Sequence, residues 1–338
     1  MIDKNPLTVE VTRGEMVESR HRGSAIVVDA KGKILHAWGD TDRLIYPRSA
    51  IKPLQAIAFV ESGAADACNA HPQEIAFACA SHNGEPHHVN GVSAWLKRLG
   101  LSPDHLECAP HWPHEEQTLR ERLAEHPVLD AVSNNCSGKH TGFLATAKHM
   151  NEHLEGYIDK EHPVQRRLRS ILSELGDVNL DRAPGGIDGC GIPVIGMPLS
   201  AMALALARMA QPIGLEAHRR RACERIVSAI MAHPYNIAGQ NRFDTIAMTA
   251  APGRFAVKGG AEAVQAGIIP DLGVGFAVKV EDGSKRAADV ISANLLNLLG
   301  VLIGPAQAKM GNFLKMPIKN AADLPVGAVR MSDGWAGS

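Results

Sequence analysis

The stretch Ser133-Asn134-Asn135-Cys136-Ser137-Gly138-Lys139-His140-Thr141-Gly142 constrains this chain more than any other. It sets amides, a thiol, hydroxyls, an amine and an imidazole around two glycines. Glycine accepts backbone conformations and close approaches that a Cβ forbids. The stretch therefore predicts tight turns at Gly138 and Gly142, around a place where a ligand or metal is held. The plain alternative is a polar loop ahead of a helix, capped by Ser137 or Thr141. Three other segments shift the balance towards a site.

The first is Pro47-Arg48-Ser49-Ala50-Ile51-Lys52-Pro53-Leu54-Gln55. The apolar run from Leu54 to Val60 predicts a helix that starts near Ser49 and ends near Ser62-Gly63. Residues three apart share a helix face, so the Ser49 hydroxyl and the Lys52 amine can meet. A serine becomes a nucleophile when an adjacent base takes its proton, and a lysine can be that base if burial lowers its pKa. The helix N-terminus adds N–H groups and a positive dipole, which favour an oxyanion. Pro53 is tolerated in the first turn, where N–H groups lack helical partners anyway. Alone, Ser-x-x-Lys is weak, because an N-cap serine and a surface lysine give the same pattern.

The second segment is Ala78-Cys79-Ala80-Ser81-His82-Asn83-Gly84-Glu85. Apolar residues 75 to 80 fit a strand or a short helix, with Pro72 and Glu74 favouring the helix. Ser81 and Asn83 emerge where this buried element ends. Satisfying that terminus is their plain role. The third is Phe255-Ala256-Val257-Lys258-Gly259-Gly260, a β-prone run meeting a lysine and two glycines. Glycines there let a ligand approach a strand edge closely, and a simple strand-ending turn is the alternative.

In chain order, Ser49-x-x-Lys52, Ser81-His82-Asn83 and Lys258-Gly259-Gly260 resemble the Ser-x-x-Lys, Ser-x-Asn and Lys-Thr-Gly series of serine β-lactamases and penicillin-binding proteins. The chain is similar to the glutaminases of that fold as well. It resembles more closely the rhizobial-type, or class 3, L-asparaginases, the asparaginase II family. The carriers are Arg48-Ser49-x-x-Lys52-Pro53, Ala80-Ser81-His82, Asn135-Cys136-Ser137-Gly138-Lys139-His140-Thr141-Gly142, Asp188-Gly189-Cys190-Gly191-Ile192-Pro193 and Lys258-Gly259-Gly260. The cysteine-containing pieces are far more specific than Ser-x-x-Lys. Family-like sequence runs from about residue 7 to 330.

The resemblance implies an α+β fold of the β-lactamase/glutaminase-like kind, an antiparallel sheet flanked by helices with a helical lobe. It would form a single unit, with a sheet lobe near 1–48 plus 238–338 and a helical lobe near 49–237. This division rests on analogy. The residues themselves suggest strands and glycine turns over 8–39, mostly helix over 50–235 and strands over 240–280. A turn at Glu281-Asp282-Gly283 then leads to a helix over Lys285–Leu299, and a last strand falls within 312–330.

Charge is balanced, with 35 basic and 36 acidic residues, which leaves neither a nucleic-acid footprint nor a basic membrane patch. The N-terminal residues lack an apolar signal core, and the longest apolar helix candidate, Met197 to Leu206, is too short to span a bilayer. The expectation is a soluble cytoplasmic protein whose six cysteines stay reduced. Cys79 and Cys223 fit packed thiols. Cys136 and Cys190 lie among glycine turns, and two thiolates from distant segments can bind a borderline metal, zinc foremost. No further His or Cys has standard ligand spacing. The resemblance implies that Cys136, Lys139 and Cys190 bind one zinc ion per subunit with a water, and that the zinc does not generate the nucleophile. His149, His153, His162 and His218 sit in charged helical patterns and are expected at the surface. The His111-Trp112-Pro113-His114 cluster suggests a loop of unassigned role.

The resemblance implies hydrolysis of L-asparagine to L-aspartate and ammonia by a homodimer that uses no nucleic acid or membrane partner. Ser49 and Lys52 would form the first hydroxyl–amine pair, and Ser81 and Lys258 a second. Sequence leaves open which serine attacks. Arg48 and Asp188 are candidates for pairing with the substrate's α-carboxylate and α-amino groups. His140 is a candidate for lining the pocket. Two other readings stay open. One is a glutaminase or other serine acyl hydrolase of the same fold. The other is a non-catalytic protein that binds an amino acid or zinc.

Overall fold

The computed structural model describes residues 5–113, 115–125, 129–333 and 335. At the N-terminus, β1 (Leu7–Arg13), β2 (Met16–Asp29) and β3 (Ile34–Trp38) fold back on one another. Their turns contain Gly14 and Gly32, as the sequence suggests. Four short strands follow. β4 (Leu44–Ile45) pairs with β7 (Met197–Pro198), and β5 (Gly185–Ile187) pairs with β6 (Pro193–Ile195). The C-terminal third adds β8 (Ala256–Gly260), β9 (Val264–Ile269), β10 (Val274–Val280), β11 (Met316–Lys319) and β12 (Pro325–Met331).

The main sheet has eight strands, in the order β11-β12-β1-β2-β10-β9-β8, with β3 paired to β2 off this path. Every pairing is antiparallel. β9 and most of β10 are continuously buried, as strands covered on both faces must be. Two helices that pack on β10, Leu199–Ala210 and Lys285–Leu298, supply that cover. The molecule is an α+β protein, an antiparallel sheet flanked by helices. Its main-sheet strands come from 7–38 and 256–331, and helices dominate the sequence between them. No helix among the described residues is long and apolar enough to cross a membrane.

Some local expectations change. Gly138 and Gly142 make no turns; both lie inside the helix Ser137–His149, whose N-cap is Cys136. A Cβ at residue 138 would fall 2.4 Å from the Phe77 carbonyl oxygen, so glycine serves helix-to-helix approach there. The segment 75–80 is the end of a helix, Pro72–Ala78, and not a strand. Phe243–Ala250 is also a helix within the stretch expected as strand, because its face at Phe243, Ala247 and Met248 packs into the core. His149, His153 and His218 are exposed, but His162 is buried. It is the N-cap of the helix Pro163–Gly176, and its Nδ1 accepts from Val164 N–H.

Candidate active site

A cavity of about 630 Å³ opens where the segments singled out from sequence converge. Arg48, Ser49, Ser81, Cys136, Asp188, Cys190, Gly259 and Gly260 all line it. Ser49 lies in a 3-10 turn, Arg48–Ile51, that runs into the helical residues Lys52–Gln55. Arg48 has φ +52, a left-handed conformation that costs a non-glycine residue energy and recurs at functional sites. β8 packs directly on this turn. A Cβ at residue 260 would stand 2.9 Å from Ala50 N, so the second glycine of Lys258-Gly259-Gly260 sets how closely strand and turn meet.

Lys52 is buried and its amine lies within hydrogen-bond reach of three partners. Nζ lies 2.8 Å from Ser81 Oγ and 3.1 Å from Cys136 Sγ, and it also donates to the Ala80 carbonyl. The Ser-x-x-Lys spacing puts Ser49 and Lys52 near each other along the chain, but the bond formed is to Ser81. The Ala80 carbonyl and the Cys136 sulfur draw the long side chain inward. Ser49 Oγ has no hydrogen bond among the described residues, and it sits on the cavity wall.

Ser81 is held by its backbone, which donates from N to the Ile237 carbonyl at 2.8 Å. Beside it, His82 Nδ1 accepts from Gly84 N–H, so Nε2 carries the proton and donates to Ser137 Oγ at 3.0 Å. Burial holds the His82 pKa well below the ordinary value, so this imidazole stays neutral and acts as a brace.

Lys258 is equally buried. Its amine donates to the Gly259 carbonyl at 2.5 Å and lies 3.8 Å from Asp244 Oδ2. Burial, with help from the charges of Lys52 and Arg242 and against Asp244, lowers its pKa to about 7. An amine poised there can give or take a proton near neutrality. The hydrogen bond of Ser81 goes to Lys52 and not to Lys258, so the expected second pair is replaced by a single serine facing the first lysine.

Cys136 and Cys190 lie within hydrogen-bond reach of each other, with Lys139 Nζ 3.0 Å from Cys190 Sγ. The Cys136 thiol is held well below its ordinary pKa, first by the hydrogen bond from Cys190 and then, against burial, by the charges of Lys139 and Lys52. The same hydrogen bond and burial raise Cys190. Burial works to lower Lys139, but the charge on Cys136 and the hydrogen bond to Cys190 outweigh it and favour the ammonium. Cys79 and Cys223, by contrast, are pushed up to about 12 by burial and behave as packed thiols.

Among the described residues, no group of three or more His, Cys, Asp or Glu side chains is arranged to hold a metal ion. Lysine supplies the third donor here. Two sulfurs on the cavity wall, with the Lys139 amine buried beside Cys190, are a donor set of the kind zinc takes, provided that binding expels the ammonium proton.

Arg48 and Asp188 pair with each other. Nε and Nη2 donate to Oδ1 at 3.0 and 2.7 Å, and Gly189 N–H reaches the same oxygen at 2.7 Å. Burial would raise the Asp188 pKa, but Arg48 and Lys139 outweigh it and hold the carboxyl below its ordinary range. Oδ2 is left without a hydrogen bond among the described residues. His140 is fully buried behind the wall, with Nδ1 2.7 Å from Tyr157 Oη, and it does not line the cavity. It occupies the inner face of the Ser137–His149 helix.

His111 does line the cavity. Its Nε2 accepts from Asn135 N–H at 2.9 Å and its Nδ1 faces the Trp112 carbonyl, so it orders the backbone beside Cys136. His114 lies outside the described residues. Sequence reasoning missed Arg242 and Asp244, which line the cavity, and gave Asn134, inside its leading stretch, no separate role. Asn134 Oδ1 accepts from Cys136 N–H at 2.8 Å, a link visible in principle as an asparagine two residues before the N-cap.

Comparison with known proteins places this architecture. The profile of the L-asparaginase II family matches residues 9–331. No curated protein matches the chain. Among solved structures, Mglu in its native form is 14% identical with a TM-score of 0.48, and the match covers 84% of this chain and 66% of that one. A β-lactamase from Mycobacterium bovis is 14% identical with a TM-score of 0.39, covering 82% of this chain and 94% of its own. The family profile spans nearly the whole chain, and the protein belongs to the L-asparaginase II family.

Proposed function

From membership in the L-asparaginase II family, we propose that this protein hydrolyses L-asparagine to L-aspartate and ammonia through a serine acyl-enzyme. The observation that carries the reading is the buried Lys52 amine, 2.8 Å from the Oγ of Ser81, a residue that lines the cavity with Ser49. A hydroxyl needs a base within such reach to become a nucleophile. In this reading Ser49 attacks the side-chain carboxamide, since its hydroxyl is unengaged and stands at the start of a helical segment. Lys52 takes the proton, with Ser81 as the relay. Backbone N–H groups at that helix start stabilise the oxyanion, worth about 3 kcal/mol per donor in comparable sites. The proton returns to the leaving nitrogen and ammonia departs. Water then hydrolyses the aspartyl ester, with Lys258 as a second base that is neutral above about pH 7.

Asp188 suits the substrate's α-ammonium through its open Oδ2, while Arg48 holds it in place. Cys136, Cys190 and Lys139 would hold one zinc ion per subunit. Such an ion, when bound, would supply positive charge that orients substrate at the cavity wall. The family resemblance also supports a homodimer in the cytoplasm.

A second reading makes Ser81 the attacking residue, because its hydroxyl is the one bonded to Lys52. The test of the function is ammonia release by the purified protein from asparagine, glutamine and a chromogenic cephalosporin. Asparagine should lead by a wide margin. Release from glutamine or cephalosporin at equal efficiency would move the protein to another hydrolase class, and no release from any would leave a binding protein.

A further inference from the structure

The charged groups around the cavity are nearly all spoken for. Arg48 gives two N–H donors to Asp188, Lys285 Nζ lies 2.5 Å from Asp289, and Lys258 faces Asp244. Arg242 is different. Its Nη1 donates to two neutral acceptors, Asn83 Oδ1 at 2.9 Å and the Ser81 carbonyl at 3.4 Å. Among the described residues, no carboxylate lies within ion-pair distance of it. A guanidinium carries five N–H donors in a planar fork that matches a carboxylate, and among the described residues only Nη1 of Arg242 finds an acceptor.

The arginine is also held still. Asn83 Nδ2 donates to Glu85 Oε1 at 2.9 Å and to the Gln240 carbonyl at 3.0 Å, which fixes its amide oxygen as the acceptor for Arg242. Glu85 is buried and tied in turn to Gln240 N–H and Tyr235 Oη. A clamped fork binds its partner without first being ordered. Arg242 touches the carbonyl of Ser81, whose hydroxyl faces Lys52, so whatever it grips is registered against the reacting groups.

We propose that Arg242 receives the α-carboxylate of the amino-acid substrate, with Arg48 remaining on Asp188. The assignment rests on the asparaginase reading above. It makes the free carboxylate a condition for good turnover, so that peptides ending in a C-terminal asparagine amide and simple amides are poor substrates.

The test compares L-asparagine with 3-aminopropanamide, which keeps the reacting amide and the amine but lacks the α-carboxylate, on wild type, R242Q and R242K. R242Q should lower kcat/KM on asparagine about 100-fold, mostly through KM, and leave 3-aminopropanamide within about threefold of wild type, as loss of one charged contact does. R242K, which keeps a point charge, should recover part of the asparagine affinity and guards against a variant that fails to fold. Parallel loss on both compounds would make Arg242 only a brace for Asn83 and Ser81 and overturn the proposal. So would a wild type that does not distinguish the two compounds. If the wild type released no ammonia from asparagine, the functional reading would fall separately. Calorimetric titration with L-aspartate then decides the arginine: binding lost in R242Q sustains it, and no binding or unchanged binding overturns it.

Discussion

Lys139 and Lys258 are both 2% exposed, yet their amines are driven in opposite directions. Burial disfavours the ammonium at each. At Lys139 the charge on Cys136, together with the hydrogen bond to Cys190, overcomes that effect and favours the ammonium. At Lys258 a single carboxylate 3.8 Å away does not, and the cations Lys52 and Arg242 push the same way as burial, to about 7. Burial alone therefore says little about what a lysine in this cavity does. One lysine has its ammonium favoured by the sulfurs beside it, and the other is a base poised near neutrality.

The largest way to break this contrast is Lys258→Met, which keeps the bulk and removes the base. Activity on asparagine should fall about 1000-fold, within the range general bases contribute, with the fold retained by circular dichroism. In the wild type the sign follows from the lowered value: the amine is protonated below about pH 7 and neutral above it. Because Lys258 acts on the acyl-enzyme, the kcat profile should therefore rise through about pH 7 and level off. A profile that peaks below pH 6 would remove Lys258 from the chemistry.

The next effect tests how rigidly the charged groups hold the substrate. If Asp188 and its neighbours fix the α-carbon, the extra methylene of glutamine moves the carboxamide off Ser49, at a cost of about 100-fold when geometry is held. Equal efficiency on glutamine would mean a looser cavity.

The smallest effect sharpens the Lys139 side. Zinc binding there must displace protons from Lys139 and the thiols, so affinity should rise about tenfold per pH unit for each proton released. Zinc content measured by elemental analysis across pH, on wild type and on Cys136→Ala and Cys190→Ala, checks this. A chain that takes up no zinc when it is supplied at alkaline pH would contradict it.

How far the sequence reached differs from place to place. Strands β1 to β3 were legible because glycines mark their turns. Helix Phe243–Ala250 was not, because Phe, Thr and Ile favour strands locally and only core packing selects the helix. The meeting of Cys136, Lys139 and Cys190 was read from family motifs. The partner of Lys52 was not legible from a spacing of three residues, because Ser81, Ala80 and Cys136 come to it from other parts of the chain. Arg242 escaped for the same reason: nothing local marks an arginine whose acceptors lie about 160 residues away.

The central claim is that Ser49 carries the acyl group while Lys52 and Ser81 move the proton. Rapid acid quench of the protein turning over asparagine, followed by peptide mass spectrometry, tests it directly. The account predicts an aspartyl ester on the peptide containing Ser49, absent in Ser49→Ala, which should also lose turnover. An ester on Ser81, or normal asparagine hydrolysis by Ser49→Ala, would contradict it.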